Sequence, residues 1–156
     1  MLSVERMYTT PDDPYDESVS EVDFLVGQTV AQFRYPANGL RIVFDVGDRA
    51  EPALYADIEQ AFTYIDRSGD AHEVDLNDPS TLASVLGIAG QAVEGVSTDD
   101  AVLSLRFSDG SSLRCAPHPD YEAWQVVGGT PQCLVVCVGP DDGLAVWDVE
   151  ASPIEP

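Results

Sequence analysis

From residue 24 onward, apolar and polar residues alternate with a period of two, and turn residues break the alternation into strand-length pieces. Gly27 to Tyr35 reads as a strand with Ala31, Phe33 and Tyr35 on one face. Pro36-Ala37-Asn38-Gly39 is a turn signal, and Leu40 to Asp45 returns with Leu40, Ile42 and Phe44 on one face, which predicts a hairpin. Ala56, Ile58, Gln60, Phe62 and Tyr64 then alternate, Arg67-Ser68-Gly69-Asp70 turns the chain, and Ala71 to Leu76 returns. A short helix over Pro52 to Tyr64 is the competing reading. It loses to the cluster of β-formers Phe62-Thr63-Tyr64-Ile65 just before the turn. From Val102 to Trp147 the pieces are Leu103-Leu105-Phe107, Leu113 onward, Tyr121 to Gln125, Cys133 to Val138 and Leu144 to Trp147, the pattern of an antiparallel meander.

One segment carries helical signals instead. Asn77 or Asp78 can cap it, Pro79 fits the first position, and Leu82, Val85 and Leu86 give one apolar face. Gly87 or Gly90 ends it.

The strand pattern also repeats. Gly90-Gln91-Ala92-Val93 echoes Gly27-Gln28-Thr29-Val30, and Leu103, Leu105 and Phe107 echo Leu40, Ile42 and Phe44, with one offset of 63 residues throughout (27 to 90, 40 to 103, 44 to 107). A fixed offset is the mark of an internal repeat, against chance matching of apolar strand residues. The predicted architecture is mainly β, a β-rich α+β domain over residues 24–150. It has eight or nine mostly antiparallel strands in two pseudo-repeated hairpin units, 24–76 and 87–149, and one short helix. An acidic flexible segment, 1–23, precedes it and a tail, 151–156, follows. Proline-punctuated Pro11-Asp12-Asp13-Pro14-Tyr15-Asp16-Glu17 has little to bury, or is an acidic arm for a basic surface.

Charge changes this picture most. Of 156 residues, 28 are acidic and seven basic, a formal charge of −21, and every basic residue is arginine. Such a surface disfavours nucleic acid and anionic membranes, and steers a basic partner into contact. The plainer account is that acidity serves solubility or reflects a GC-rich or salt-adapted genome. No apolar run approaches a membrane span and Met1 to Arg6 lacks a signal-peptide pattern. Three cysteines, Cys115, Cys133 and Cys137, sit in strand-like runs, as reduced thiols do in a cytoplasm.

Candidate chemistry is thin. Cys115, His118, Cys133 and Cys137 have a superficial metal-ligand spacing. On one strand, however, Cys133 and Cys137 stand about 13 Å apart, too far to share a zinc ion. Cys115 with His118 and Asp120 lacks the nucleophile elbow and oxyanion-hole context of a triad. Asp120 and Glu122 as an acid–base pair carry little information among 28 acids. Val127-Gly128-Gly129-Thr130-Pro131 is a hairpin loop rather than a phosphate loop. No catalytic residue, metal or cofactor is assigned. The segment His118-Pro119-Asp120-Tyr121-Glu122-Ala123-Trp124-Gln125 has two readings. Trp124 is a core aromatic with Tyr121 at the rim, or both are partner-facing anchors ringed by Asp120 and Glu122. His118 is an exposed turn residue or a pH-sensitive contact.

The order of features resembles an uncharacterised family of small, mainly actinobacterial proteins. The features are the Asn77-Asp78-Pro79 helix start, Gly90-Gln91-Ala92-Val93, Leu103-x-Leu105-x-Phe107-x-Asp109-Gly110, Tyr121-Glu122-Ala123-Trp124 and the Leu144-Ala145-Val146-Trp147 ending. The family brings no agreed activity. In size and acidity it is similar to immunity proteins of toxin systems, an analogy rather than a property of these residues. The reading is a non-catalytic cytoplasmic protein that binds a basic partner, such as a toxin, through Tyr121, Glu122, Trp124, Asp120 and His118. The alternatives are a self-associating assembly component, such as a homodimer, and thirdly a small hydrolase or small-molecule-binding protein.

Overall fold

The alternating segments become antiparallel strands in two sheets, and the chain changes sheet twice. The structure is a computed structural model that describes residues 21–35, 39–45, 54–128, 133–139 and 143–148. Among them are eleven strands: β1 (Thr29–Arg34), β2 (Leu40–Asp45), β3 (Tyr55–Ile58), β4 (Phe62–Ile65), β5 (Ala71–Val74), β6 (Val93–Ser97), β7 (Leu103–Phe107), β8 (Ser112–Cys115), β9 (Trp124–Gly128), β10 (Cys133–Gly139) and β11 (Gly143–Asp148). One sheet has the order β1-β2-β3-β9-β10-β11, the other β5-β4-β8-β7-β6. Residues 1–20 of the acidic segment 1–23, residues 36–38 of the turn Pro36 to Gly39, the tail 151–156 and the side chains of Cys133, Cys137 and Trp147 lie outside the described residues.

The run expected as one strand from Leu54 to Asp66 is two. β3 pairs with β2 and β9, whereas β4 pairs with β5 and β8 in the other sheet. Inward residues continue in phase through the corner at Glu59-Gln60-Ala61, with Ala56, Ile58, Phe62 and Tyr64 all buried, so alternation alone cannot show the break. The return crossing occurs between β8 and β9. Each sheet therefore combines a three-stranded meander from one half of the chain with strands from the other half.

The two halves are built alike in detail. In the first hairpin Val30 faces Phe44, Gln32 faces Val43 and Phe33 faces Ile42, with a bulge between Val30 and Gln32. At the 63-residue offset, Val93 faces Phe107, Gly95 faces Arg106 and Val96 faces Leu105, with a bulge between Val93 and Gly95. Short 3₁₀ turns precede both strands at the same offset, Asp23–Leu25 and Leu86–Ile88. The halves meet where Thr29 bridges Ala92. There Gly27 N–H donates to Val93 O (2.8 Å) and Gly90 N–H to Val30 O (2.9 Å). Val93 N–H likewise donates to Gln28 O and Val30 N–H to Gln91 O, both 2.9 Å. Every contact has its reciprocal, the pattern of an isologous interface within one chain.

The bulge corrects the face expected for β1. One extra residue shifts the phase, so Val30 and Phe33 turn toward the core while Ala31 and Tyr35 are exposed. The helical segment is corrected in kind. Asp78 caps it by accepting the Ser80 N–H (3.2 Å) and Pro79 opens it, but Pro79–Ser84 is a 3₁₀ turn followed by Leu86–Ile88. A period of three places Leu82, Val85 and Ile88 inward, and leaves Leu86 46% exposed.

Candidate functional site

Both chain crossings occur at one end of the molecule and touch. Glu59 N–H donates to Ala123 O (2.8 Å), and the Gln60 side-chain amide donates to Ala116 O. Where strands leave one sheet for the other, the sheets part. The gap is a cleft of about 490 Å³ whose lining includes Tyr35, Glu59, Gln60, Asp75, Asn77 and Tyr121. Its ionisable lining contains carboxylates and phenols and no basic group.

Two tyrosines wall the cleft. Tyr35, 48% exposed, is anchored by its hydroxyl, which donates to Leu76 O. Tyr121, 46% exposed, is stacked on His118 with ring centroids 3.8 Å apart and planes 14° from parallel. His118 Nδ1 in turn accepts the Asp120 N–H (3.0 Å). The sequence Pro117-His118-Pro119-Asp120 thus serves as a local brace that presents the Tyr121 ring.

Glu59, an exposed residue, brings charge to the cleft lining. Partial burial of the carboxylate raises its pKa above the ordinary value, and the charges of Asp57 and Glu122 raise it further. Asp57, 6% exposed, carries the neighbouring charge. It accepts Arg41 Nε (2.7 Å) and Nη2 (3.0 Å) and Gln125 Nε2 (3.2 Å), while the Arg41 guanidinium lies 4.0 Å over the Tyr55 ring. Hydrogen bonding to Asp57 chiefly raises the Arg41 pKa.

The structure sorts the residues singled out from the sequence. Tyr121 lines the cleft, Glu122 is exposed and close enough to act on Glu59, and Asp120 and His118 form the brace. Trp124 is corrected. It is 1% exposed, and its Nε1–H donates to Ala101 O (2.9 Å), so it is a core residue that no partner reaches. Cys115 is buried, with Sγ against Ala116 O (3.7 Å) and Ala123 O (3.9 Å), while His118 engages Tyr121 and the Asp120 backbone. Among the described residues, no group of three or more His, Cys, Asp or Glu is placed to hold a metal ion. Tyr35, Glu59 and Asp75 were not singled out from the sequence. They converge only through the crossing, and Glu59 was hidden inside a run read as one strand.

Among the described residues no helix is long and apolar enough to cross a membrane. A family of unknown function, DUF6188, matches residues 53–148, and the chain belongs to this family. The matched stretch contains Glu59, Asp75 and Tyr121 and excludes Tyr35. No curated protein and no solved structure shows significant similarity to the chain.

Proposed function

We propose that this member of the DUF6188 family is a non-catalytic cytoplasmic binding protein that occludes a basic partner protein, in the manner of an immunity or antitoxin-like inhibitor. The observation that carries this reading is the cleft between Tyr35 and Tyr121, with Glu59 and Asp75 in its lining. Aromatic walls with a carboxylate between them in the lining suit a guanidinium or ammonium group, which gains cation–π contact and an ion pair together. The net charge of −21 speeds the encounter, and the cleft fixes the register. Braced tyrosines hold contact area at low entropic cost, as binding anchors do.

The test is affinity capture of a basic protein from the native organism's lysate at low salt, comparing the wild type with Tyr121→Ala and Glu59→Gln. One stoichiometric basic protein, released by salt and lost with both variants, supports the reading. Equal recovery by wild type and variants, or no basic protein at all, refutes it.

A second reading is self-association. Among the described residues β11, Gly143-Leu144-Ala145-Val146-Trp147-Asp148, pairs only with β10, and an apolar edge strand is a template for a second copy. A dimer in sedimentation equilibrium, abolished by Ala145→Pro with the fold intact, would favour it over the inhibitor.

A further inference from the structure

The outer face of the second sheet carries a different site. The tripeptide Ser-Leu-Arg occurs twice, as Ser104-Leu105-Arg106 on β7 and Ser112-Leu113-Arg114 on β8. The two copies pair antiparallel, so that Ser104 faces Arg114 and Arg106 faces Ser112. Both leucines are buried, which puts both arginines and both serines on the open face. The two guanidinium-bearing residues are diagonal neighbours, about 7 Å apart at the backbone, with a hydroxyl opposite each.

Neither arginine forms a salt bridge among the described residues, in a chain with 28 acids. The first sheet supplies an internal control. There Arg41 stands where Ser104 stands in the second sheet, and faces Asp57 at 2.7 Å. In the second sheet the position facing Ser104 holds Arg114 instead, and Arg114 faces Thr63 on its other side, so the charge is reversed and no carboxylate stands directly opposite it. On β6 the residue facing Arg106 is Gly95, and a Cβ there would stand 2.9 Å from Arg106 Nη2. The missing side chain lets the guanidinium lie against the strand.

These groups line a groove of about 650 Å³, within the size range of small-molecule sites. We infer that the groove binds a small organic anion through one phosphate or carboxylate group, held between Arg106 and Arg114 and hydrogen-bonded by the Ser104 and Ser112 hydroxyls. Guanidinium forks match the oxygen spacing of both groups. Carboxylates also line the groove, Asp23 on the 3₁₀ turn before β1, Glu94 in the β6 bulge and Asp99 between β6 and β7. They repel a ligand charged along its length, so the rest of the molecule is neutral or cationic. This site is independent of the tyrosine-walled cleft.

The test is a titration of the full chain, followed by backbone amide shifts of Gly95, Arg106 and Arg114 at low ionic strength. Inorganic phosphate is the probe in one arm and acetate in the other. Saturable shifts are expected, weakened about tenfold in Arg114→Gln and abolished in the Arg106→Gln/Arg114→Gln double variant, with Arg67→Gln unchanged. The arm that saturates at lower concentration identifies the group. Gly95→Ala, which keeps both charges but displaces the Arg106 guanidinium, weakens binding as well. Shifts that stay linear in both arms, or that persist in the double variant, overturn the site.

Discussion

Gly27 and Gly90 offer a test of whether the two halves are physically equivalent. Each closes the 3₁₀ turn before the first strand of its half, with φ of +89° and +85°. An added Cβ meets no atom within 4 Å at either position, so alanine introduces no clash and the cost is conformational alone. Positive φ costs a residue with a side chain about 1–2 kcal/mol. Stiffening of the unfolded chain by Gly→Ala returns about 0.4–1 kcal/mol. Each variant should therefore lose about 1 kcal/mol, and the two losses should agree, because the reciprocal backbone bonds to Val93 and Val30 survive the change. Urea unfolding followed by circular dichroism measures both, with an unchanged denaturant slope expected. A difference above about 1 kcal/mol between the variants, outside ordinary scatter for like sites, would show that the shared register does not reflect shared energetics.

Three further outcomes follow from the site and its supports. Asp57→Ala strands Arg41, but Arg41 keeps 31% of its side chain in solvent. The loss should therefore fall below the range for fully buried pairs, at about 2 kcal/mol by chemical denaturation. Trp124→Ala removes a buried indole and its hydrogen bond and should cost about 3–5 kcal/mol, much of a domain's stability, whereas Tyr121→Ala should stay within about 0.5 kcal/mol. Thermal melts separate the two, so only the Tyr121 variant reports on binding. Glu59 has a folded-state pKa above its unfolded value, so its contribution to stability is present at low pH and is lost as pH rises through the folded value. Glu59→Gln should be more stable than wild type at about pH 7 and equal to it below about pH 3.5, the lower end of the unperturbed carboxyl range. A fixed gap at both pH values would remove burial of the charge as the cause.

Much of the strand pattern was legible because inward positions must be apolar. Leu40, Ile42, Phe44, Leu103, Leu105 and Phe107 are all buried as the alternation requires. The crossing between β3 and β4 was not legible, since a corner that keeps the same face inward leaves the period of two unbroken. The 3₁₀ turns were misread because Leu82 and Val85 fit a period of 3.6 with Leu86 as readily as a period of three with Ile88. Trp124 was ambiguous for a different reason, because an indole with a polar edge suits both a core with a backbone acceptor and an interface. Of the cleft, only Tyr121 and its brace could be read locally. Tyr35 and Glu59 reach it through long-range pairing that no window of sequence contains.

The likeness of the halves makes their differences informative. Packing constrains the inward residues on both sides in the same way, since a close-packed core tolerates little change of volume. Val30 and Val93, Leu40 and Leu103, and Phe44 and Phe107 are accordingly identical pairs, all buried. The outward residues of the same strands are free of that constraint, and there the halves part. Arg41 and Asp57 neutralise each other on one sheet, while Ser104 and Arg114 occupy the matching places on the other. Arg106 and Arg114 stand there as diagonal like charges among the groove carboxylates Asp23, Glu94 and Asp99, and Tyr121 stacks on His118 at the crossing. A scaffold repeated on the inside and diverged on the outside leaves its outward residues free to be set by something other than packing. On the two proposals made above, the outer face of the second sheet would take an anion and the cleft at the crossing a cation.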